Sequence, residues 1–234
     1  MGNIDSNTIG QFILFMVALI FSLSVHESAH AWMSSRFGDD LARSQGRITL
    51  NPAAHVDPIG TLLFPAIAFF THIPIIGWAK PTPVNPLKWR NKRVANFWVS
   101  AAGVISNAFI AIIAGITMRI LFEFNIVGLY IHPFYGLAAE ATSGSIIAEG
   151  GAKLLSGFFS LNVALAIFNL IPVPPLDGSK ILASILPPSF EPAIETLERF
   201  GFLLLIILVF TGVFGTLFRI LMPLVSYPFV IGIG

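Results

Sequence analysis

His26, Glu27 and His30 form the string H-E-S-A-H. On a helix, residues four apart lie on one face, one turn above each other, so two imidazoles can be offered to a single ion. Glu27, one position on from His26, falls beside the open side of that ion, where a carboxylate can serve as general base toward water. Zinc held by two nitrogens needs one further protein ligand and keeps a position free for chemistry. The competing reading is a pair of helix histidines with ordinary partners. The setting weighs against it. Ile9 to Val25 reads IGQFILFMVALIFSLSV, without a charge, and an ionisable group near mid-bilayer costs about 3 kcal/mol on insertion scales. Three such side chains within five residues call for a ligated ion, and hydrolysis inside the bilayer is the most direct reason for one.

Cysteine is absent, so a thiolate site is excluded and the third ligand must be His, Asp or Glu. The candidates are His55, His72, His132 and the carboxylates. Asp177 stands out because it follows an apolar run in N-L-I-P-V-P-P-L-D-G, residues 169–178. Three prolines in four positions break a helix and free its carbonyls, and a carboxylate at a broken helix in lipid is a functional candidate. Its alternative role is an N-cap at an interfacial loop, since Asp before an apolar run caps well.

These residues must be positioned by membrane helices. Hydrophobic residues make up 55% of the 234, charged residues only 11%, and mean hydropathy is +0.83. Soluble domains carry about 25% charged residues, so the expectation is an all-α integral membrane protein in one domain, 1–234. Four apolar segments are long enough to span: 9–32, 94–122, 143–171 and 200–225. The stretches 59–76 and 176–186 are ambiguous, and together they suggest five to six transmembrane or re-entrant helices. The first run has no basic residue before it and no small-residue cleavage site after it, so it reads as a retained helix. GRITL (46–50) alternates like a short strand. IIGWAKPTPV (75–84) is too rich in proline for helix and suits an edge strand or extended loop. The two form a small membrane-associated β-hairpin region whose free edge can receive an unwound peptide.

Eight of the 13 Lys and Arg residues lie between Arg36 and Arg93, and none lies between Glu123 and Glu140. The positive-inside rule then turns 36–93, and the active site with it, toward the cytoplasm in a multi-pass cell-membrane protein. Both flanks of 59–76 are basic, so that stretch is expected to re-enter rather than cross. A net charge of +1 gives no reason to expect nucleic acid. Trp32, Trp78, Trp89 and Trp98 suit an interfacial aromatic belt.

Taken together, H-E-S-A-H at 26–30 and N-L-I-P-V-P-P-L-D-G at 169–178 resemble the site-2 protease family of intramembrane zinc metalloproteases, in its compact prokaryotic form without PDZ or CBS domains. The resemblance runs over roughly residues 9–190. It implies one zinc ion on His26, His30 and Asp177, Glu27 as the group that activates water, and Asn169 as a holder of the substrate carbonyl or its oxyanion. A further family string, A-G-P-x-x-N, reads here as Ala102-Gly103-Val104-Ile105-Ser106-Asn107, with Val104 in place of proline. G-W-A-K-P-T-P-V-N-P at 77–86 is similar to the family's re-entrant region that meets substrate. The substrate-binding candidates are therefore Gly77, Lys80, Pro81 and Asn107. The implied partners are a transmembrane or signal-peptide substrate, the lipid bilayer, and an oligomer or regulatory membrane protein. A non-proteolytic membrane zinc protein, such as a transporter or scaffold, is the alternative; it would have no use for a general base beside two ligands. A zinc hydrolase of lipids is a weaker third. His55 in NPAAHVDP reads first as a capped interfacial turn and second as a gating or accessory metal residue. His72 reads as bonding a freed carbonyl, and His132 as solvent-facing.

Overall fold

The computed structural model describes residues 5–73 and 75–232. Helix α1 (Ser6–Arg36) starts where the Asp5 carboxylate accepts the Thr8 amide at 2.8 Å, an N-cap that replaces a lost intrahelical bond. A single turn, α2 (Leu41–Ser44), follows. A π-helical turn over Pro58–Leu63 then leads into α3 (Phe64–Thr71). Asn91 caps the long helix α4 (Lys92–Glu123) through the Val94 amide. The hairpin strands β1 (Val127–His132) and β2 (Gly136–Ala141) pair antiparallel, Val127 opposite Ala141 and His132 opposite Gly136. Helices α5 (Ile146–Leu170), α6 (Asp177–Ile185), α7 (Glu191–Phe210) and α8 (Val213–Ser226) complete the chain's main elements.

Helix α4 is the centre of the bundle and packs on α1, α5 and α6. Over half of its apolar window (56%) is buried, against 22% in α1 and 28% in α5. Small residues explain the close packing: Ala101, Ala102, Gly103, Ala111 and Ala114 line its buried side, and small side chains let helix backbones approach where lipid offers no hydrophobic drive. Its opposite side exposes Ile105, Phe109, Ile112 and Ile116, a surface suited to acyl chains. Beyond the middle of α4, a core of Met118, Val127, Leu137, Phe159 and Met222 welds the hairpin to α4, α5 and α8.

Among the described residues the architecture is all-α apart from that hairpin, and three helices, α1, α4 and α5, are long and apolar enough to cross a membrane, or four if α7 and α8 count as one span; length and composition do not establish five to six spans. The single span expected over 200–225 is instead two helices bent by 70°. Gly212 sits between them at φ +74, in the left-handed region that ends a helix cheaply only for glycine.

The expected strands are also displaced. Among the described residues, 46–50 hold a turn and a bend and 75–84 form no strand; the hairpin lies at 127–141. Around 49–53 local bonds win over alternation: Thr49 Oγ1 accepts the Asn51 amide and Asn51 Oδ1 accepts the Ala53 amide. The 59–76 stretch doubles back. Trp78 N donates to Gly60 O at 3.1 Å and Thr61 Oγ1 donates to Trp78 O at 2.8 Å, so the chain leaves and returns at one level. Pro74 lies outside the described residues. Trp32, Trp78 and Trp98 are about half exposed, but Trp89 is buried with its indole N–H on Ser34 Oγ and is no belt residue.

Candidate metal and catalytic site

His26 and His30 lie on the inward face of α1, and Asp177 is the first residue of α6. The helix that brings them together is α4. Its N-terminal end grips the C-terminal end of α6: Arg93 donates to the carbonyls of Ser184, Ile185 and Leu186 at 2.5–2.9 Å, and Asn96 donates to Lys180 O and Ser184 Oγ. The carbonyls of Ser184, Ile185 and Leu186, at the helix end, have no intrahelical donors, and a guanidinium is a strong substitute. One turn further, α4 meets the histidines of α1.

Each imidazole is fixed from behind. His30 Nδ1 donates to the carbonyl of Val99 at 2.6 Å. His26 Nδ1 lies 2.6 Å from Asn107 Oδ1. The amide orientations behind it follow from one acceptor. Asn162 Nδ2 donates to the carbonyl of Phe158 and to Ser22 Oγ, so its Oδ1 must face Asn107 Nδ2, at 3.0 Å. Asn107 Oδ1 is thereby turned to His26 and accepts its Nδ1 proton. Ser22, Asn107 and Asn162 are fully buried, so the network is complete in the absence of water.

With both Nδ1 protons committed, both Nε2 atoms present lone pairs. They lie 3.0 Å apart, and Asp177 Oδ2 lies 3.3 Å from the first and 3.2 Å from the second. These contacts have ion-pair distances, yet Asp177 Oδ2 is buried without a hydrogen-bond donor. Three acceptors thus converge on one point. A proton can join only two of them; a divalent cation can join all three. Zinc–ligand bonds near ~2.0–2.1 Å in a tetrahedron place ligand atoms about 3.3 Å apart, close to the spacing observed. The donor set and the orphaned carboxylate oxygen fit such an ion. Asp177 does not cap its helix: Leu176 holds the N-cap position, without a side-chain bond.

Glu27 is half buried on the same turn of α1, and its Oε2 accepts from Thr82. Asn169, on the last turn of α5, points its amide back to Leu165 O at 3.0 Å. Gly77 packs on Gly60 O and Pro65, and Lys80 is held through its backbone by His55 and Arg47. Pro81 is exposed beside it. Asn107 lies beneath the histidines rather than on the surface. His72 and His132 stay outside the cluster: His72 ends α3, and His132 accepts the Phe134 and Tyr135 amides in the hairpin loop.

His55 is buried, its Nε2 donating to Thr49 O at 2.9 Å. Burial pushes its pKa below the ordinary histidine value; the Thr49 bond opposes this and the Arg47 guanidinium, more weakly, adds to it.

Ser22, Gly103, Val99, Thr82, Asn162 and Arg93 support the site without having been singled out from sequence as supports. Ser22 and Asn162 carried a legible signal, as polar residues inside apolar spans. The carbonyl of Val99 carried none.

Comparison with known proteins accords with this geometry. The sequence profile of Peptidase family M50 matches residues 14–208. YwhC of Bacillus subtilis (strain 168), which carries the provisional description of a zinc metalloprotease, is 37% identical over 196 residues, covering 84% of this chain and 80% of the relative. Rip2 of Mycolicibacterium smegmatis, described in the same provisional terms, is 29% identical over 203 residues, 87% of this chain and 69% of its own. Rip2 of Mycobacterium tuberculosis (strain H37Rv) is 26% identical over 200 residues, 85% and 67% of the two chains. No solved structure matches the chain significantly.

Proposed function

The chain belongs to peptidase family M50, the site-2 protease type of intramembrane zinc metalloendopeptidase, and from that premise we propose that its hydrolytic centre is one zinc ion on His26, His30 and Asp177 with Glu27 as general base. The observation that carries this reading is the convergence of three acceptor atoms, all within 4.8 Å of one another, with no donor among them. When bound, zinc supplies Lewis-acid polarisation of a scissile carbonyl and acidifies a neighbouring water.

The chain's own groups do the rest. Glu27 takes the proton of the attacking water and passes it to the leaving amine, so the peptide bond is exchanged for a carboxylate and an amine. Asn169 rotates its amide from Leu165 O to the developing oxyanion, a contribution typically of about 3 kcal/mol.

The substrate is a transmembrane or signal-peptide segment of a membrane protein, locally unwound. Residues 75–84 give it an edge. Gly60 and Thr61 hold Trp78, His55 and Arg47 hold Lys80, and Glu27 holds Thr82. Alternate residues of an extended chain face opposite ways. The amides of Trp78, Lys80 and Thr82 are used inward, so those between them point to the other edge, and among the described residues the amides of Gly77 and Ala79 have no partner. Pairing there offsets the cost of exposing a helix's carbonyls in lipid.

The basic segment 36–93 and the site face the cytoplasm. The support is the distribution of Lys and Arg, and a cysteine at position 80 labelled only from the opposite side would refute it. The activity is tested by incubating purified, zinc-loaded protein with membrane-segment peptides and identifying fragments by mass. New peptide termini are expected from the wild type and none from Glu27→Gln at equal zinc content. Equal cleavage by the variant would remove Glu27 from its role.

A further inference from the structure

Nothing on its own helix holds the carboxylate of Glu27. Thr82 N donates to Glu27 Oε2 at 2.8 Å, and Thr82 Oγ1 lies 2.7 Å from that same oxygen and 2.9 Å from the Glu27 carbonyl. Among the described residues Glu27 Oε1 accepts no hydrogen bond, which leaves one oxygen free. Thr82 is itself rigidly placed. On one side the Lys80 amide donates to His55 O at 2.8 Å and Arg47 Nη2 donates to Lys80 O at 2.5 Å. On the other side the Asn85 amide donates to the fully buried Asp39 at 2.6 Å, and Asp39 also accepts from Ser34 of α1. The segment is thus held on both sides of Thr82, on one by His55 and Arg47 and on the other by Asp39 and, through it, Ser34 of α1.

We propose that Thr82 is the positioning residue of Glu27: its amide and hydroxyl together clamp Oε2 and direct Oε1 at the water to be deprotonated. The proposal rests on the reading of Glu27 as general base. An unbraced glutamate has three free side-chain torsions, whereas a general base must sit within hydrogen-bond reach of its proton throughout the reaction. The amide is a main-chain group, so the side-chain contribution that substitution can remove is the hydroxyl. The same segment presents the outward edge to substrate, so the element that receives the peptide also aligns the base.

The test compares steady-state cleavage of one membrane-segment peptide by zinc-loaded wild type, Thr82→Val, Thr82→Ser, and both Glu27→Gln and Glu27→Gln/Thr82→Val. Valine keeps the shape and the amide but loses the hydroxyl donor; serine keeps the donor and loses the methyl. The expected result is a kcat about tenfold lower for Thr82→Val, part of the ~10²–10⁴ a placed base contributes, with KM unchanged within about twofold. Thr82→Ser should recover to within about threefold of wild type. Thr82→Val should cost nothing further on the Glu27→Gln background, and zinc content should be equal throughout. A Thr82→Val enzyme with unchanged kcat, or with only KM raised, would overturn the positioning role while leaving the hydrolytic reading intact. So would a serine variant as slow as the valine one. A wild type that cleaves nothing would overturn the hydrolytic reading and this role with it.

Discussion

A Cβ on Gly103 would lie 2.5 Å from Nε2 of His30, and 2.6 Å from Cε1 of His26. Helix α4 therefore lays bare backbone against the convergent acceptor atoms. Alanine is ordinarily the better helix former, by roughly 1 kcal/mol, so Gly103→Ala separates the demands of the helix from those of the site. The expected outcome is a folded protein, unchanged in helical content by circular dichroism, whose zinc affinity falls at least ~10-fold because the imidazoles must shift. Metal titration against a competing chelator reads this. Wild-type affinity in Gly103→Ala would mean that the close approach has no consequence for metal binding.

Asn107 acts on the same histidines from the far side. Removing its side chain takes the acceptor from His26 Nδ1 and the donor from Asn162 Oδ1, both in buried residues. Outer-shell partners of this kind are worth 10–100-fold in metal affinity, and an orphaned buried polar group costs about 1–3 kcal/mol. Asn107→Ala should thus weaken zinc binding by that factor and lower stability together. Asn162→Ala, which leaves Asn107 bonded to His26, should weaken zinc less. If the two variants bind alike, the network does not act through His26.

The sequence was legible where residues advertise themselves in lipid. The strings 26–30 and 169–178 stand out as interruptions of apolar runs, and the structure brings His26, His30 and Asp177 from them to one point. Helix α1 and the central helix α4 follow hydropathy closely. Legibility fails where the deciding partner is a main chain or a distant loop. The Val99 carbonyl has no side-chain signature, and the pairing of Thr82 with Glu27 needs a 55-residue excursion to return. The bend at Gly212 is hidden because hydropathy is blind to φ. The strand assignments failed for another reason: alternation in GRITL needs a partner strand, and local Thr49 and Asn51 bonds remove the backbone from pairing. The actual hairpin carries its signal in the loop H-P-F-Y-G, a Pro–Gly bracket between two short apolar runs.

Asp177 yields a test of the acceptor cluster that does not require activity. Its Oδ2 lies 3.2 and 3.3 Å from two Nε2 atoms whose lone pairs face it, an arrangement that a protein stripped of metal would have to hold without a donor. Asp177→Asn replaces one oxygen by an N–H₂ that can donate to an Nε2. The metal-free variant should therefore be more stable than metal-free wild type, by about 1–3 kcal/mol, while zinc no longer stabilises it. Thermal unfolding with chelator and with added zinc gives the four values needed. A variant still stabilised by zinc as strongly as wild type would place the third ligand elsewhere.

His55 makes stability depend on pH. Burial, reinforced by the Arg47 guanidinium, holds its folded pKa below the ordinary 6.5, while the Thr49 carbonyl and, more weakly, Glu27 pull the other way. A depressed histidine pKa means that the unfolded chain binds the proton first as pH falls. The contribution is fully present above about pH 6.5 and is lost progressively as pH drops toward the folded value. The chain holds four other histidines, so the measurement is a difference between proteins. His55→Gln keeps a donor for Thr49 O at a similar reach but has no proton to bind. Denaturant unfolding of chelated wild type and His55→Gln, at pH 8 and pH 5.5, should show wild type losing more stability on acidification. Because His55 O also accepts the Lys80 amide at 2.8 Å, that loss should loosen the segment carrying Thr82. Amide exchange over 78–84 should then rise with acidification in wild type and stay level in the variant. Parallel pH slopes for the two proteins would show that His55 does not couple protonation to this segment.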